Sequence, residues 1–464
     1  MAAGAPRYEA WLSADEVRGL SDALGDPPEF RATRLEAYER FLRLPLEPNP
    51  LYRGYGYFTN VDLTGIDPLA SAPPVPLPHA LPGSVRIVHD ASGTRVQVPG
   101  ELLDAGVRVV SLTEAWAGAD GAARALQRGG EEPTDRLSAL ATALVNRGYA
   151  LEVPEGRTEP VRVQDLTVLS AGRQALSVRR AIHAGAGTQL LVSEEVFAMP
   201  GAVEHQRLYA STTHVDQGAR SKAVYLGVHA PDLATVSIYR RSATTGPESR
   251  LAWIWTGLGG FRTKSRNETS LTGRASVVDD LQLFFGAQQQ AFDSSVNLTH
   301  VATDTHGQSI TRGVFRDEAR GMSRGLVRIE HEARKTVSFI SEHAMLLSKG
   351  ARSDTIPILE ILCRDVKATH STSVAPVDPE RVFYLESRGL TEAESIRAIG
   401  EGYLSYVLER APVAGLRDLM YPALAARWDG RPISWGPEAF PALPALDVRG
   451  TEATPEWRFD TKLR

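Results

Sequence analysis

The sequence predicts a mainly β fold, in which a long all-β core is preceded and followed by helical regions. From about Val161 to Val374, short runs rich in Val, Leu, Ile, Tyr and Thr alternate with Gly, Asp, Asn and Ser, as in short strands separated by turns. Helical periodicity is nearly absent, and the runs recur at roughly 10-residue intervals, which suits a sandwich, a barrel or a β-solenoid. One immunoglobulin-type sandwich needs only about 100 residues, whereas a solenoid takes up extra length by adding turns. We therefore divide the chain into residues 1–160, a β core at 161–377, and residues 378–464.

Residues 1–160 predict a helical and mixed region that contains a proline-rich linker. Ser13 and Glu16 have the spacing of a capping box, which marks the start of a helix. A second helical pattern follows around Leu35. The stretch 68–84 is too rich in proline for a helix or a central strand, so we interpret it as a linker or an extended arm. Short apolar runs and the helical pattern DRLSALATALVNRG complete the region.

Residues 378–464 predict a return to helix. Pro379 suits a first helical turn, and Gly389 suits the end of the same short helix. Thr391 and Glu394 form a second capping box, and the helix that follows ends before a proline. The apolar stripe of that helix consists of Ile396, Ile399, Tyr403 and Val407. Such a stripe either packs against the β core or docks another chain.

Composition narrows the functional classes. The chain has 464 residues, with 51 Lys and Arg against 56 Asp and Glu, so its net charge of -5 offers no general attraction to nucleic acid. No apolar run approaches the ~18 residues of a membrane span, and the N-terminus lacks the basic start and apolar core of a secretory signal. A single cysteine forms no internal disulfide. We expect a cytoplasmic protein without a nucleic-acid or membrane partner.

Familiar catalytic motifs are missing from the sequence. The glycine-rich stretch Gly257–Glu268 lacks the Gly-Lys-Ser/Thr ending of a phosphate loop and predicts a turn instead. No Gly-x-Ser-x-Gly elbow is present, and one cysteine rules out a Cys-rich structural zinc site. We therefore expect no nucleotide bound by this chain, so that a partner must supply ATP hydrolysis if the function needs it.

His370 is the best candidate metal ligand. If residues 366–374 form one strand, His370 shares a face with Val366, Ala368 and Val374. This placement favours a buried, hydrogen-bonded histidine, and the alternative is an imidazole that binds a metal ion. Cys363 has the opposite parity, so a Cys363/His370 pair is not expected without a bend.

Three motifs occur in order, namely P-x-L-E-I at Pro357–Ile361, D-V-K-x-x-H at Asp365–His370 and F-Y-L-x-S-R-G at Phe383–Gly389. With the sequence between about Asn297 and Pro412, they resemble the SufB/SufD family of the SUF iron–sulfur cluster assembly system. The resemblance implies a right-handed parallel β-helix with helical ends. It also implies a non-enzymatic, SufD-like scaffold that pairs with a SufB-like subunit, and a homodimer is possible when the chain is alone.

The resemblance further implies that the C-terminal helices bind a SufC-like ATPase, which supplies ATP hydrolysis. The residues expected to contact it are Val382, Phe383, Tyr384, Leu385, Arg388, Gly389, Ile396, Ile399 and Tyr403.

The resemblance also concerns the site around His370. In SufB-type chains a cysteine near the position of Glu342 is associated with cluster assembly, and its absence here favours the SufD type. The matching SufD histidine is implicated at the SufB–SufD interface, so His370 is expected to contribute to iron or a transient cluster shared with SufB. Ala368 replaces a cysteine that is common in SufD-like sequences. The alternative function is an extracellular-type β-helix protein that binds or cleaves carbohydrate.

Overall fold

The computed structural model describes residues 12–49, 61, 63–75, 82–117, 132–199, 206–413, 415–431 and 433. The predicted linker at 68–84 lies partly outside these residues, and the start of the N-terminal region and all residues after 433 lie outside them. The account below concerns the described residues.

The core is a parallel β-solenoid of about eight turns, which confirms the mainly β prediction. From β4 onward, successive strands alternate between two sheets, so each turn adds one strand to each sheet. The strands are β1 (Val85–Asp90), β2 (Gly93–Gln97), β3 (Arg108–Ser111), β4 (Arg147–Val153), β5 (Val161–Leu169), β6 (Ala175–Ala184), β7 (Gln189–Ala198), β8 (Arg207–Gln217), β9 (Lys222–Ala230), β10 (Thr235–Thr244), β11 (Arg250–Gly257), β12 (Arg262–Leu271), β13 (Val277–Gly286), β14 (Ala291–His300), β15 (His306–Phe315), β16 (Arg320–Ile329), β17 (Thr336–Leu346), β18 (Arg352–Ile361) and β19 (Val366–Pro376).

The two sheets have a simple strand order. One sheet has ten strands in the order β19-β17-β15-β13-β11-β9-β7-β5-β1-β2, and the other has nine in the order β18-β16-β14-β12-β10-β8-β6-β4-β3. The strands β1 and β4 already belong to these sheets, although both precede residue 161. The solenoid therefore begins before residue 161. Its last strands are β18 in one sheet and β19 in the other.

Antiparallel strands close the N-terminal end of both sheets. The short strand β2 pairs antiparallel with β1, and β3 pairs antiparallel with β4. Short edge strands offer few free backbone groups to another chain. The N-terminal end of the solenoid is thus capped.

The N-terminal helices are α1 (Ala14–Leu24), α2 (Pro28–Arg43), α3 (Gly100–Asp104), α4 (Leu112–Ala117) and α5 (Arg136–Ala143). The predicted capping box at the start of α1 is confirmed, with Ser13 Oγ accepting from the Glu16 backbone N–H. The helices α1, α2 and α5 form one apolar cluster with outward residues of β6, β8 and β10, such as Ile238. These helices therefore cover part of the outer face of the nine-stranded sheet.

The C-terminal helices are α6 (Pro379–Glu386), α7 (Glu392–Leu408) and α8 (Leu416–Trp428). The capping box of Thr391 and Glu394 is confirmed at the start of α7. Leu404 and Val407 of α7 share an apolar cluster with Leu281 and other outward residues of the ten-stranded sheet. One face of α7 therefore packs against the β core, as the first interpretation of its stripe predicted.

The space between the sheets contains a buried ion-pair cluster. Arg180 of β6 contacts Asp165 of β5 (Nε to Oδ2, 2.5 Å) and Glu194 of β7 (Nη1 to Oε1, 3.3 Å). The hydroxyls of Tyr209 and Tyr225 donate hydrogen bonds to Glu194 at 3.0 and 2.9 Å. Burial alone would raise the pKa of Glu194, but Arg180 holds that pKa well below its usual value. The interior is therefore built from paired charges as well as apolar side chains.

Within the glycine-rich stretch, residues 258–261 form the turn that joins β11 to β12, whereas residues 262–268 already belong to β12. Gly260, in this turn, has a φ of +87°. A left-handed conformation of this kind is open to glycine at little cost.

Candidate functional site

His370 lies on β19, the last strand of the solenoid. Its register partner is Ile340 of β17, which is buried between the sheets. Val366 and Ala368, on the same face of β19, pack against the interior cluster. His370 is nevertheless exposed, so the expectation of a buried histidine is wrong. The physical reason is that no further turn follows β19 to cover its inward face.

The strands β18 and β19 together form what we call the open end. Each is the last strand of its sheet, so one side of each strand has no neighbour in the described chain. Large apolar side chains are exposed there, with Ile361 at 44%, Leu362 at 41% and Val374 at 38%. The apolar residues of this segment predicted strands of the β core, and their exposure was not predicted. The reason is that an edge strand and a core strand have the same apolar pattern.

Cys363 lies in the short connection between β18 and β19. It is half-buried and packs against the interior cluster beside Leu359 and Val366. Within the described residues, no three side chains of His, Cys, Asp or Glu are grouped so as to hold a metal ion. Any metal bound by His370 would therefore need ligands from elsewhere.

Glu342 faces the interior one strand before the open end. Its register partner is Thr372 of β19, two residues from His370 on the same face. Ser323 Oγ donates to Oε1 at 2.6 Å, whereas Oε2 is buried without a hydrogen-bond partner in the described chain. Burial raises the pKa of Glu342 to about 7. The carboxyl group therefore changes its protonation near neutral pH.

His343 faces the opposite side of the same strand. Its ring nitrogens share hydrogen bonds with Ser373 Oγ at 2.7 Å and Ser371 Oγ at 3.2 Å. Burial and the nearby Arg312 lower the pKa of His343 to about 4, so its imidazole is neutral at pH 7. His343 therefore ties β19 to the rest of its sheet.

The helix α6 exposes two aromatic side chains. Phe383 is 71% exposed and Tyr384 is 57% exposed, while Arg388 lies 5.2 Å from the centre of the Tyr384 ring. Leu390, just after the helix, is 37% exposed. We call these four residues the aromatic surface. Isolated apolar residues on a surface are common, but a contiguous group is typical of a contact surface.

The nine residues predicted to bind the ATPase differ in exposure. Phe383, Tyr384, Arg388 and Gly389 are exposed, Leu385, Ile396, Ile399 and Tyr403 are half-buried, and Val382 is buried. Their role stays a prediction.

Membrane insertion finds no support in the helices. In the part of the chain that the structure describes, none of them combines the length and apolar character that a membrane crossing requires.

Fold and site together define a β-solenoid protein with one capped end, one open end and an aromatic surface on the following helix. The chain belongs to the SufB/SufD family, since the family described as "SUF system FeS cluster assembly, SufBD core domain" matches residues 167–403. The match includes His370, α6 and most of α7. This protein is therefore an iron–sulfur cluster assembly protein of that family.

Similar proteins agree with this assignment. The iron–sulfur cluster assembly protein SufD of Bacillus subtilis (strain 168) is 27% identical over 427 residues, which cover 88% of this chain and 96% of that protein. A SufBD family protein of Mycobacterium bovis is 26% identical over 307 residues, covering 64% of this chain and 75% of that protein. The likeness to SufD over most of both chains makes this protein SufD-like. The carbohydrate alternative finds no support in these matches.

Proposed function

We propose that this chain is the SufD-type scaffold subunit of a cytoplasmic iron–sulfur cluster assembly complex, and that it pairs with a SufB-like subunit through the open end. The observation that carries the proposal is the contrast between the two ends of the solenoid. Antiparallel strands cap one end, whereas β18 and β19 expose Ile361, Leu362 and Val374 at the other. Unpaired strand edges recruit another strand, and exposed apolar residues favour burial by a partner.

The proposed partner is a β-solenoid that continues both sheets. The strands at its own open end would supply backbone partners to β18 and β19 and would cover the apolar residues of the open end. When no SufB-like subunit is present, two copies of this chain would pair in the same way.

The aromatic surface is the proposed binding site for a SufC-like ATPase. Aromatic and arginine side chains dominate binding energies at protein interfaces, and Phe383, Tyr384 and Arg388 supply both kinds. The ATPase would hydrolyse ATP and this chain would respond by moving with it, because differential contacts in two states shift a conformational equilibrium. This chain is proposed to have no catalytic role of its own.

His370 is the proposed contribution of this chain to the iron or cluster under assembly. Its imidazole is exposed at the open end and makes no hydrogen bond within the described residues, so it is available to a shared site. One imidazole does not hold a cluster, which needs several ligands, mostly thiolates. The remaining ligands would come from the SufB-like subunit.

The test is reconstitution with SufB-like and SufC-like proteins, in which complex formation and cluster yield are measured separately. His370→Ala should leave the complex intact and reduce the cluster yield, whereas the control His331→Ala, in the exposed turn before β17, should change neither. An unchanged yield in an intact His370→Ala complex would sink the ligand role. Failure of the parent chain to bind either partner at micromolar concentration would overturn the scaffold function itself.

A further inference from the structure

Arg312 on β15 is a buried cation to which the function proposed above assigns no role. It is 6% exposed, and its neighbours on the same face of β15, Ile310 and Val314, belong to the apolar cluster shared with α7. Among the described residues, no carboxylate forms an ion pair with Arg312. Burial lowers the pKa of Arg312, since the charged form is disfavoured away from water. The guanidinium is therefore held by groups other than a carboxylate.

Two tyrosines of α7 hold the Arg312 guanidinium from outside the sheet. Its central carbon, Cζ, lies 4.5 Å from the centre of the Tyr406 ring and 5.7 Å from the centre of the Tyr403 ring. A cation over an aromatic face is attracted by the ring, and the attraction grows when water is excluded. Leu404 and Val407 of the same helix fix α7 against the sheet through apolar contacts. The position of the guanidinium therefore depends on the position of α7.

Arg312 also acts on the neighbouring strand, β17. Its Nη1 donates a hydrogen bond to Ser341 Oγ at 3.1 Å, and its register partner is His343. Burial and the charge of Arg312 together keep the His343 imidazole neutral at pH 7. A neutral imidazole has one nitrogen that donates and one that accepts, so two hydroxyl groups can complete its hydrogen bonds. Arg312 thus bears on two outward side chains of β17.

His343 carries the connection on to β19. Its Nδ1 lies 2.7 Å from Ser373 Oγ, and its Nε2 lies 3.2 Å from Ser371 Oγ. In the described chain β19 is the last strand of its sheet, so its backbone pairs on one side only. Segments with few contacts open locally at low free energy while the rest of the fold stays intact. The two side-chain hydrogen bonds therefore add to the backbone bonds that hold β19 to β17.

We infer that Arg312 is a latch between α7 and the edge strand β19. While the tyrosines of α7 hold Arg312, Ser341 and His343 stay in place and β19 stays paired with β17. When α7 shifts outward, Arg312 loses its ring contacts and β19 opens more often. Opening uncovers Ile340 and Glu342, which are both 1% exposed in the closed state. Local opening of β19 is thus a two-state event that α7 biases through a chain of direct contacts.

The latch is a property of this chain alone, so its test needs no partner. Hydrogen–deuterium exchange of the full-length protein, read by mass spectrometry, reports on peptides from β19 and α7. Arg312→Met keeps the length of the side chain but removes the guanidinium, and it should raise the exchange rate of β19 by roughly tenfold or more. Tyr406→Leu should raise it by a few-fold. In the His343→Ala background the link is already broken, so Arg312→Met should add nothing.

Arg427→Met is the matched control. Arg427 is also a half-buried arginine that joins a C-terminal helix to the solenoid, but its Nη2 donates to Gln290 Oε1, in the turn before β14. The variant should exchange at β19 as the parent does. Equal β19 exchange in Arg312→Met and the parent, or the same increase in Arg427→Met, would overturn the inference.

The double variant Ser371→Ala/Ser373→Ala tests the latch from the other side and keeps it falsifiable if Arg312→Met does not fold. Both serines are exposed, so this variant should fold as the parent does. Coupling between two sites is reciprocal, so losing both hydroxyls should raise the exchange of α7 around Tyr406 by a few-fold. Unchanged exchange of α7 in this variant would contradict the latch.

Discussion

Ile340 and His370 are register partners on β17 and β19, yet Ile340 is 1% exposed and His370 is exposed to solvent. The two side chains lie on the same face of one sheet, one strand apart. The difference in exposure arises because β17 has a neighbouring strand on both sides, whereas β19 is the last strand of its sheet in the described chain. His370 therefore stands at the position where another interior side chain would lie if the solenoid had a further turn, and its imidazole is at the surface.

The open end should tolerate a charge in the isolated chain but not in a complex. Val374→Glu places a carboxylate at a site that is 38% exposed, so the free energy of unfolding should change by no more than about 0.5 kcal/mol. Burying that unpaired charge against a partner solenoid should weaken pairing by at least tenfold, on the order of 1.4 kcal/mol. Light scattering after size-exclusion chromatography, with and without the SufB-like subunit, measures the effect.

The control for that variant is Leu233→Glu, in the turn between β9 and β10, where the side chain is 43% exposed. It should pair normally. Equal pairing by Val374→Glu and Leu233→Glu would contradict the role of the open end.

The aromatic surface should matter for the ATPase and not for folding. Phe383→Ala removes a side chain that is 71% exposed, so the melting temperature should stay within about 1 °C of the parent. The affinity for the SufC-like ATPase should fall by tenfold or more, as for an interface hot spot. Surface plasmon resonance can compare it with Tyr421→Ala on α8, which is 49% exposed and should bind as the parent does. Matching losses for both variants would argue against a localised site.

The buried ion-pair cluster should be sensitive to the loss of one partner. Arg180→Met removes the arginine that pairs with Asp165 and takes one cation away from Glu194, so the protein should lose roughly 3–5 kcal/mol of stability. Urea unfolding of the variant, followed by tryptophan fluorescence, measures the loss. Arg274→Met is the control, because Arg274 pairs with Asp304 on the surface and its loss should change stability far less. A similar small loss at both positions would show that the interior pair is dispensable.

Glu342 should make stability fall as pH rises toward neutrality. Its carboxyl has an ordinary pKa of 4.5 and a folded-state pKa of about 7, so between these pH values the folded chain holds a proton that the unfolded chain releases. The folded state therefore loses stability between about pH 4.5 and 7, by an amount on the order of 3 kcal/mol at most. Glu342→Gln removes this loss, so the variant should gain on the parent from pH 5 to pH 8.

Chemical unfolding at pH 5, 6, 7 and 8 checks this gain. Glu394→Gln is the control, because hydrogen bonds from Thr391 lower the pKa of Glu394 and confine its effect to more acidic solutions. Its stability difference from the parent should therefore be the same at all four pH values. A pH-independent difference for Glu342→Gln would contradict the buried, titrating carboxyl.

Local signals in the sequence predicted local structure well. The capping boxes at Ser13 and Thr391 both start helices, because hydroxyl and carboxyl groups at that spacing satisfy the free N–H groups of a first turn. The helix α8 was not identified, since Pro422 inside it is a poor signal for a helix. The existence of the strands followed from β-branched and aromatic residues, but the choice of a parallel β-helix came from the resemblance, and the two-sheet arrangement was not predicted.

Burial was harder to predict than structure. Arg179 and Arg180 are neighbours on β6 and are 4% and 0% exposed, because helices cover one face of the strand and the second sheet covers the other. No single-sequence pattern distinguishes such charges from surface charges. The error at His370 has the reverse cause, since its apolar neighbours suggested an interior that the last strand of a sheet does not have.

In the proposed pairing, the capped N-terminal end would also limit the number of solenoids that assemble. A stack joined through open ends presents only the short antiparallel strands β2 and β3 at its outer limits, so a third solenoid finds no long edge to extend. Growth would stop at two solenoids, and filaments of the kind that identical unclosed contacts produce would be avoided. The difference between the two ends of one chain would thereby set the number of solenoids in the complex.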